Sequence, residues 1–449
     1  MSSRVLFLCY HGVGHINPCF PLARVLGDEG HTVTMATVEH FRRHVTNAGF
    51  HHVSLKSVPF GLGFESWMNA QRKVRFHYWA NLRDRFFDRL YHARERELFA
   101  LLDTVRPDVV FIDATQATDF IVLYPALKKT RIAHAMLHAM FPAHVLPGRP
   151  PVDSMLVPGN LNEEAAALRR MNLKLNWTDL KQRLLYFGMS DRFIINRRLK
   201  KNQIPQANRL TLPSLFDFQV DNVPSFILAP RKFDYPHFNN PANYHYLGFV
   251  HTQITPIPND EWLKVRSVIH ARRAAGSRLV YCSFGTISVS REAQTDAFLL
   301  RLADAVTERG DQLVVSIGTQ RPAPAGLVRK NVWVFPSVPQ MEVLRDSDVF
   351  VTHGGLSSIR EAVEAVVPML MIVVHDQFDP PGNAARVQFH GMGILGDVES
   401  NTDRISAALQ DLMTNDRFRV NINKLRDANN PGAEQNFLEL FNRLLQKPA

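Results

Sequence analysis

Residues 4–37 read RVLFLCYHGVGHINPCFPLARVLGDEGHTVTMAT, and their pattern decides the fold class. Arg4–Tyr10 is an apolar run without alternation, as expected of a strand buried on both faces. A glycine-containing turn follows. Asn17–Glu29 then sets Phe20, Leu22, Ala23, Val25 and Leu26 at helical spacing, and Gly30 stops that helix before a second strand at His31–Thr37. Strand, helix and strand within so short a stretch predict a β-α-β unit, hence a parallel sheet with right-handed crossovers.

The same rhythm returns at Val105–Asp113 and Thr130–His138. A new series opens at Ser277–Phe284 and continues with a helix at Glu292–Arg309. Further strands follow at Gln312–Ile317, Val332–Phe335, Val349–Thr352 and Met369–Val374. The expected class is therefore α/β, with two successive doubly wound halves. Leu212–Pro258 is rich in Pro, Asn, Asp and aromatics and lacks helical periodicity. The expected division is residues 1–246, a linker at 247–258, a second half at 259–432, and a terminal helix within 433–449. That helix follows the breaker Asn429-Asn430-Pro431-Gly432 and is expected to pack back on the first half.

Composition sets the outer bounds. A chain of 449 residues fits two or three domains, and 45% hydrophobic against 21% charged residues excludes a mainly disordered or fibrous protein. No stretch reaches the ~18–20 uninterrupted apolar residues of a membrane-spanning helix. The N-terminal apolar run is short and reads as a buried strand, not a signal peptide. Three scattered cysteines, Cys9, Cys19 and Cys282, make neither a disulfide framework nor a zinc site. The expected setting is reducing and cytoplasmic, where the Asn176-Trp177-Thr178 sequon carries no glycan.

The formal charge is +10, from 52 Lys and Arg against 42 Asp and Glu, and it is unevenly spread. Residues 71–100 hold eight basic side chains against four acidic, and residues 161–210 hold eleven against four. Aromatics are interleaved in both, including Trp79, Phe86 and Phe87 in the first and Trp177, Tyr186 and Phe193 in the second. Two readings stand: amphipathic helices with solvated charged faces, or a peripheral face for an anionic membrane surface. No nucleic-acid module is visible, so nucleic acid is not an expected partner.

The turn after the first strand, His11-Gly12-Val13-Gly14-His15-Ile16-Asn17-Pro18, stands where open α/β sheets bind ligands. It lacks the dinucleotide fingerprint, because Asn17 occupies the third glycine's place. Gly14 lets the backbone come close to a ligand, and His15 occupies the crevice position. Asp113 ends another parallel strand and faces the same crevice. A carboxylate on one imidazole nitrogen fixes the tautomer and leaves the other nitrogen free to take a proton, so the two form a candidate general-base pair. Asp108 precedes its strand and belongs to the opposite edge.

Two more turns suit an anion. Ser283-Phe284-Gly285-Thr286 follows a buried strand and offers N–H and hydroxyl groups to phosphate. Val351-Thr-His353-Gly354-Gly355-Leu-Ser357-Ser358-Ile-Arg-Glu361 ends a strand at His353, turns on two glycines and opens a helix with two serines. Such a helix start suits a diphosphate, and Glu361, about one turn on, can accept from vicinal hydroxyls such as those of ribose.

Taken with GVGHINP, FID, SFGT, VPQMEVL, THGGLSSIREAVEAVVPML, DPPGNAARV and GMG in that order, the chain resembles the family 1 UDP-sugar-dependent glycosyltransferases over essentially its whole length. The resemblance implies a GT-B fold, two Rossmann-like domains facing across a cleft. It implies that His15 deprotonates an acceptor hydroxyl while Asp113 orients it. Ser283, Gly285, Thr286, His353, Gly355, Ser357 and Ser358 would line the diphosphate, Gly14 would face the donor from the first half, and Glu361 would hold the ribose. Val338 and Gln340 fall where the family grips the uracil edge, and Asp379 falls where it holds sugar hydroxyls, with Asp376 and Gln377 as the second choice.

Three positions depart from the family pattern. Ser337 stands where plant members carry Trp, leaving base stacking to another ring such as Phe335. Val366 replaces the usual Gly before a Val-Pro pair, and Pro380 follows Asp379 where Gln is usual. The implied reaction is a single in-line displacement with inversion, moving a hexose from a UDP-sugar co-substrate to a small lipophilic or phenolic acceptor. A helix terminus and His353 would neutralise the leaving diphosphate, so neither a metal nor another cofactor is expected. Asp346-Ser347-Asp348 looks like a carboxylate pair for a metal but precedes its strand, and is read as a solvated turn. His138 and Met140 are candidates to line the acceptor pocket, with core packing as the equal alternative. A UDP-sugar epimerase on the same fold, a dTDP-sugar-dependent transferase and a silent nucleotide-sugar binder remain as alternatives.

Overall fold

The computed structural model describes residues 2–446 apart from 72–75, 237, 250–259, 286–291, 319–321, 375–377 and 430–431. Within them the first sheet comprises β1 (Arg4–Leu8), β2 (Thr32–Val38), β3 (His51–Leu55), β4 (Val109–Asp113), β5 (Ala133–His138), β6 (Ser225–Ile227) and β7 (Tyr244–Tyr246). The second comprises β8 (Leu279–Ser283), β9 (Gln312–Ser316), β10 (Val332–Phe335), β11 (Val349–Thr352), β12 (Met369–Ile372) and β13 (Gly393–Gly396). Every pairing between these strands is parallel, with order β3-β2-β1-β4-β5-β6-β7 in one sheet and β10-β9-β8-β11-β12-β13 in the other. The unbroken apolar runs of β1, β4, β8 and β11 are the centres of these sheets, buried on both faces.

In each sheet the strand order reverses once, between β1 and β4 and between β8 and β11. Helices leave adjacent strands in opposite directions there, and a crevice opens outside the carboxyl ends. His15 follows β1 and Asp113 ends β4; Ser283 ends β8 and His353 follows β11. Both candidate clusters thus sit at switch points.

The first helix is broken. A short turn at Val13–Ile16 precedes a helix at Cys19–Asp28, with Pro18 at the junction, so His15 projects from a separate turn above the strand ends. The Ala433–Gln446 helix lays Phe437, Phe441 and Leu444 on Phe111 and Phe226 of the first sheet, within the same apolar cluster. The two halves share a core as well. Phe141, Val152, Phe233 and Phe249 pack with Met371, Ala384 and Val387 of the second half.

That contact is fixed by charge. Arg386, on the Pro380–Phe389 helix, donates to Asp234 Oδ1 at 2.9 Å, and Arg149 lies 3.2 Å from Asp234 Oδ2. All three side chains are buried, and the Arg386 guanidinium also stacks 4.2 Å from the Phe141 ring centroid. Burial pushes the Asp234 carboxyl up, but the two arginines outweigh it and hold its pKa below the usual value. The Tyr235 ring lies 4.8 Å from the Arg386 guanidinium, and the Tyr246 hydroxyl donates to Asp234 Oδ2 at 2.8 Å.

Asp346 and Asp348 are not a solvated turn. Arg266 binds Asp346 at 2.6 Å, while Asp348 is buried, bound by Arg273 and Arg278, and accepts from the Leu279 N–H at 2.8 Å. They hold the entry of β11 against β8 and the helix Asp260–Ala274. Among the described residues, no helix is long and apolar enough to cross a membrane.

Candidate active site at two facing switch points

On the first sheet, His15 Nδ1 and Asp113 Oδ2 are 2.9 Å apart. Asp113 is buried, and its other oxygen accepts from the Thr115 N–H at 2.9 Å. One fifth of the His15 side chain remains exposed, and among the described residues its side-chain hydrogen bond is made through Nδ1. Burial disfavours the imidazolium, but the charge and hydrogen bond of Asp113, with a smaller contribution from Asp379, outweigh it. The His15 pKa is therefore raised above 6.5. Burial pushes Asp113 upward, and the His15 charge and hydrogen bond together with Thr115 bring it below its ordinary value.

Around His15 stands an aromatic wall. The Tyr10 ring lies 5.0 Å from His15 and 4.1 Å from His11, and His11 in turn lies 5.5 Å from Trp67 and 6.5 Å from Phe64. Trp67 and Phe64 belong to the helix Phe64–Gln71, which these ring contacts bring beside the turn after β1. His138, at the end of β5, is buried, and its pKa is pushed down to about 3, chiefly by burial, so it is neutral at working pH. Met140 is buried in the core shared by the two halves.

On the second sheet, the Ser283 hydroxyl accepts from the Gly285 N–H at 3.4 Å. Gly285 has φ +73°, and a methyl there would stand 2.7 Å from His353 Cε1. Gly354 has φ +101°, and a methyl there would meet the Pro380 carbonyl at 2.8 Å. Those glycines are demanded by backbone shape and by the close approach of the two turns. Gly14 differs, since a methyl there would meet no atom from outside its own turn within 4 Å, which leaves open space at that position.

The helix Leu356–Ala365 starts at Gly355 with no side-chain cap, so its first N–H groups point into the crevice beside His353, Ser357 and Ser358. Gln340 Nε2 donates to Glu361 Oε2 at 2.5 Å and lies 3.4 Å from Ser358 Oγ, while the Tyr281 hydroxyl donates to Gln340 Oε1 at 3.1 Å. Burial raises the Glu361 pKa, opposed by Arg360 and by the Gln340 hydrogen bond. Val338 packs at the edge of the shared core. Val366 has φ +57° at the end of this helix, so the departure from glycine puts a β-branched residue in the left-handed region and is a matter of backbone strain as well as packing.

Asp379 joins the two clusters. Its carboxylate accepts from Asn383 Nδ2 at 2.8 Å, and the same nitrogen donates to the Gly354 carbonyl at 2.9 Å. Asn383 is fully buried and ties the carboxylate to the glycine turn. Burial raises the Asp379 pKa, and the Asn383 hydrogen bond and the His15 charge across the crevice lower it in part. Thr286, Asp376 and Gln377 lie outside the described residues.

Sequence reasoning missed Asn383, Tyr281 and the aromatic wall of Tyr10, His11, Phe64 and Trp67. Only Asn383 carried a sequence signal, four residues after Asp379 on a helix and hence on its face. Among the described residues, no three His, Cys, Asp or Glu side chains converge as metal ligands would.

A family model described as UDP-glucoronosyl and UDP-glucosyl transferase matches residues 65–430. The chain is 24% identical over 436 residues to the uncharacterized UDP-glucosyltransferase YdhE of Bacillus subtilis (strain 168), covering 94% of this chain and 93% of that one. It is 26% identical over 449 residues to 4'-demethylrebeccamycin synthase of Lentzea aerocolonigenes, covering 95% and 96%. The solved structure of the glycotransferase of kitacinnamycin superposes with a TM-score of 0.71 over 99% of both chains at 20% identity, which shows the common fold. The two facing Rossmann-like sheets are a GT-B fold, and the chain belongs to the UDP-glucuronosyl and UDP-glucosyl transferase family, the family 1 glycosyltransferases that move sugars from nucleotide-sugar donors.

Proposed function

We propose that this chain is an inverting glycosyltransferase that moves a hexose from a UDP-sugar to a hydroxyl of a small lipophilic or aromatic acceptor, with His15 as general base. The observation that carries this reading is the 2.9 Å contact of His15 with buried Asp113 at one switch point, facing Asp379 and the open helix start at the other. His15 Nδ1–H donates to Asp113, and Nε2 takes the acceptor proton as the oxygen attacks the anomeric carbon. The bond to the diphosphate breaks as the new bond forms, and the configuration inverts. Asp113 remains ionised and stabilises the imidazolium.

The leaving diphosphate lies against Ser283, Gly285 and the N–H groups from Gly355 to Ser358, with His353 beneath, and needs no metal in this reading. Glu361, held by Gln340, accepts from the ribose, and Val338 and Gln340 meet the base. Asp379 accepts from sugar hydroxyls. Gly14 leaves room beside the reacting atoms. The aromatic wall offers a flat apolar surface to the acceptor, with His138 and Met140 behind it.

Membership of a transferase family sets aside the epimerase alternative. The test is a screen of UDP- and dTDP-sugars against phenol and terpenoid acceptors, with the product's anomeric configuration read by NMR. An α-linked UDP-hexose yielding a β-linked product supports the proposal. A retained configuration, or turnover with dTDP-sugars alone, overturns it.

A further inference from the structure

We infer that the outer face of the helix Leu161–Leu185 docks on an anionic membrane surface. This helix turns Met171, Asp179 and the following Tyr186 into the protein. Leu173 lies two residues from Met171, about 200° around the helix, and faces outward. Leu173, Trp177, Leu180 and Leu184 recur there at spacings of four, three and four, and are 68, 57, 45 and 76% exposed. They form a second apolar stripe on the side opposite the buried one. A single exposed leucine is ordinary, but a stripe over three turns is not.

The patch does not end with the helix. Tyr186 stacks on Tyr78 at 6.2 Å, which brings the helix His77–Phe86 alongside, with Trp79, Phe86 and Phe87 exposed. Of ten exposed aromatic side chains among the described residues, eight fall between Trp67 and Phe193. Aromatic side chains with wet edges suit the interfacial zone of a bilayer.

Charge selects the occupant. Several arginines of the two basic stretches are consumed inside the protein: Arg85 by Asp191, Arg94 by Asp119, and Arg197 and Arg198 by Asp88. The cations flanking the stripe are not. Among the described residues, Arg169, Arg170, Lys174 and Lys181 form no ion pair, and Lys181 instead lies 5.1 Å over the Trp177 ring. Asp179, the acid within this part of the helix, is buried and bound by Arg183. An apolar stripe bordered by uncompensated cations matches anionic headgroups above acyl chains. A second copy of the same face would oppose cation to cation.

Co-sedimentation with phosphatidylcholine vesicles, with and without phosphatidylglycerol, tests this without donor or acceptor, so its failure leaves the transferase reading untouched. Binding only to the anionic vesicles, weakened by salt, is expected. Lys174→Glu with Lys181→Glu should lower the partition coefficient at least about tenfold. Leu173→Ser with Leu184→Ser should do the same, while circular dichroism and turnover of a water-soluble acceptor stay unchanged. Absence of binding, equal binding to neutral vesicles, or variants that bind like wild type would overturn it. So would concentration-dependent dimerisation that the variants abolish, which would give the stripe to a second copy.

Discussion

Asp113→Asn should slow catalysis while lowering the pKa of the base, a pairing that a merely structural defect would not produce. The Thr115 N–H, 2.9 Å from Asp113 Oδ1, holds an acceptor there more closely than the Tyr10 N–H does at Oδ2, 3.4 Å away. The introduced asparagine would therefore place its carbonyl on Thr115 and its amide nitrogen on His15 Nδ1. The amide donates there, so Nδ1 must be unprotonated and the proton moves to Nε2, the nitrogen that receives one from the acceptor in the proposed mechanism. Losing general-base action costs roughly 10²–10⁴-fold in kcat. The pKa moves the other way: with the Asp113 charge and hydrogen bond gone, burial dominates and His15 falls from above 6.5. Because the base works only when neutral, wild-type activity should fall as pH drops through that raised value. The variant's acid limb should lie at lower pH. The assay is nucleotide release against pH over about pH 5 to 9, with donor KM measured at each point. A variant within tenfold of wild type, or an unmoved acid limb, would rule out the Asp113-held His15 as the base.

Other perturbations separate the donor side from the scaffold. Gly285→Ala places a methyl 2.7 Å from His353 Cε1 at a backbone φ of +73°, so it should raise donor KM well before it changes acceptor KM in steady-state kinetics. Val366→Gly relieves a left-handed β-branched residue, worth about 1–2 kcal/mol, and should raise the thermal midpoint with kinetics unchanged. Asp234→Asn leaves Arg149 and Arg386 buried without their counter-charge. It should cost about 3–5 kcal/mol, seen as a lower unfolding midpoint by calorimetry.

What could be read in the sequence was local. The apolar runs that became β1, β4, β8 and β11 announce buried parallel strands, and strand ends point to His15, Asp113, Ser283 and His353 because ligands gather at those edges. Distant pairing was not legible. Asp234 meets Arg149 and Arg386 from positions 85 and 152 residues away, and no periodicity relates them. Asp348 looks solvated in the sequence for the same reason, since its arginines come from 70 and 75 residues upstream. The aromatic wall depends on the helix Phe64–Gln71 meeting the turn that carries His11, more than fifty residues earlier. The basic stretches carried the opposite difficulty: their sequence charge counted arginines that the fold buries in ion pairs, and only burial shows which cations face outward.

In the proposed mechanism His15 performs the proton transfer, while the nucleotide of the donor is held by the second sheet. Calorimetric binding of UDP to His15→Ala, together with its turnover, tests both halves at once. UDP affinity within about twofold of wild type and kcat lowered by roughly 10²–10⁴-fold are expected. Turnover close to wild type, or loss of UDP binding together with turnover, would contradict it.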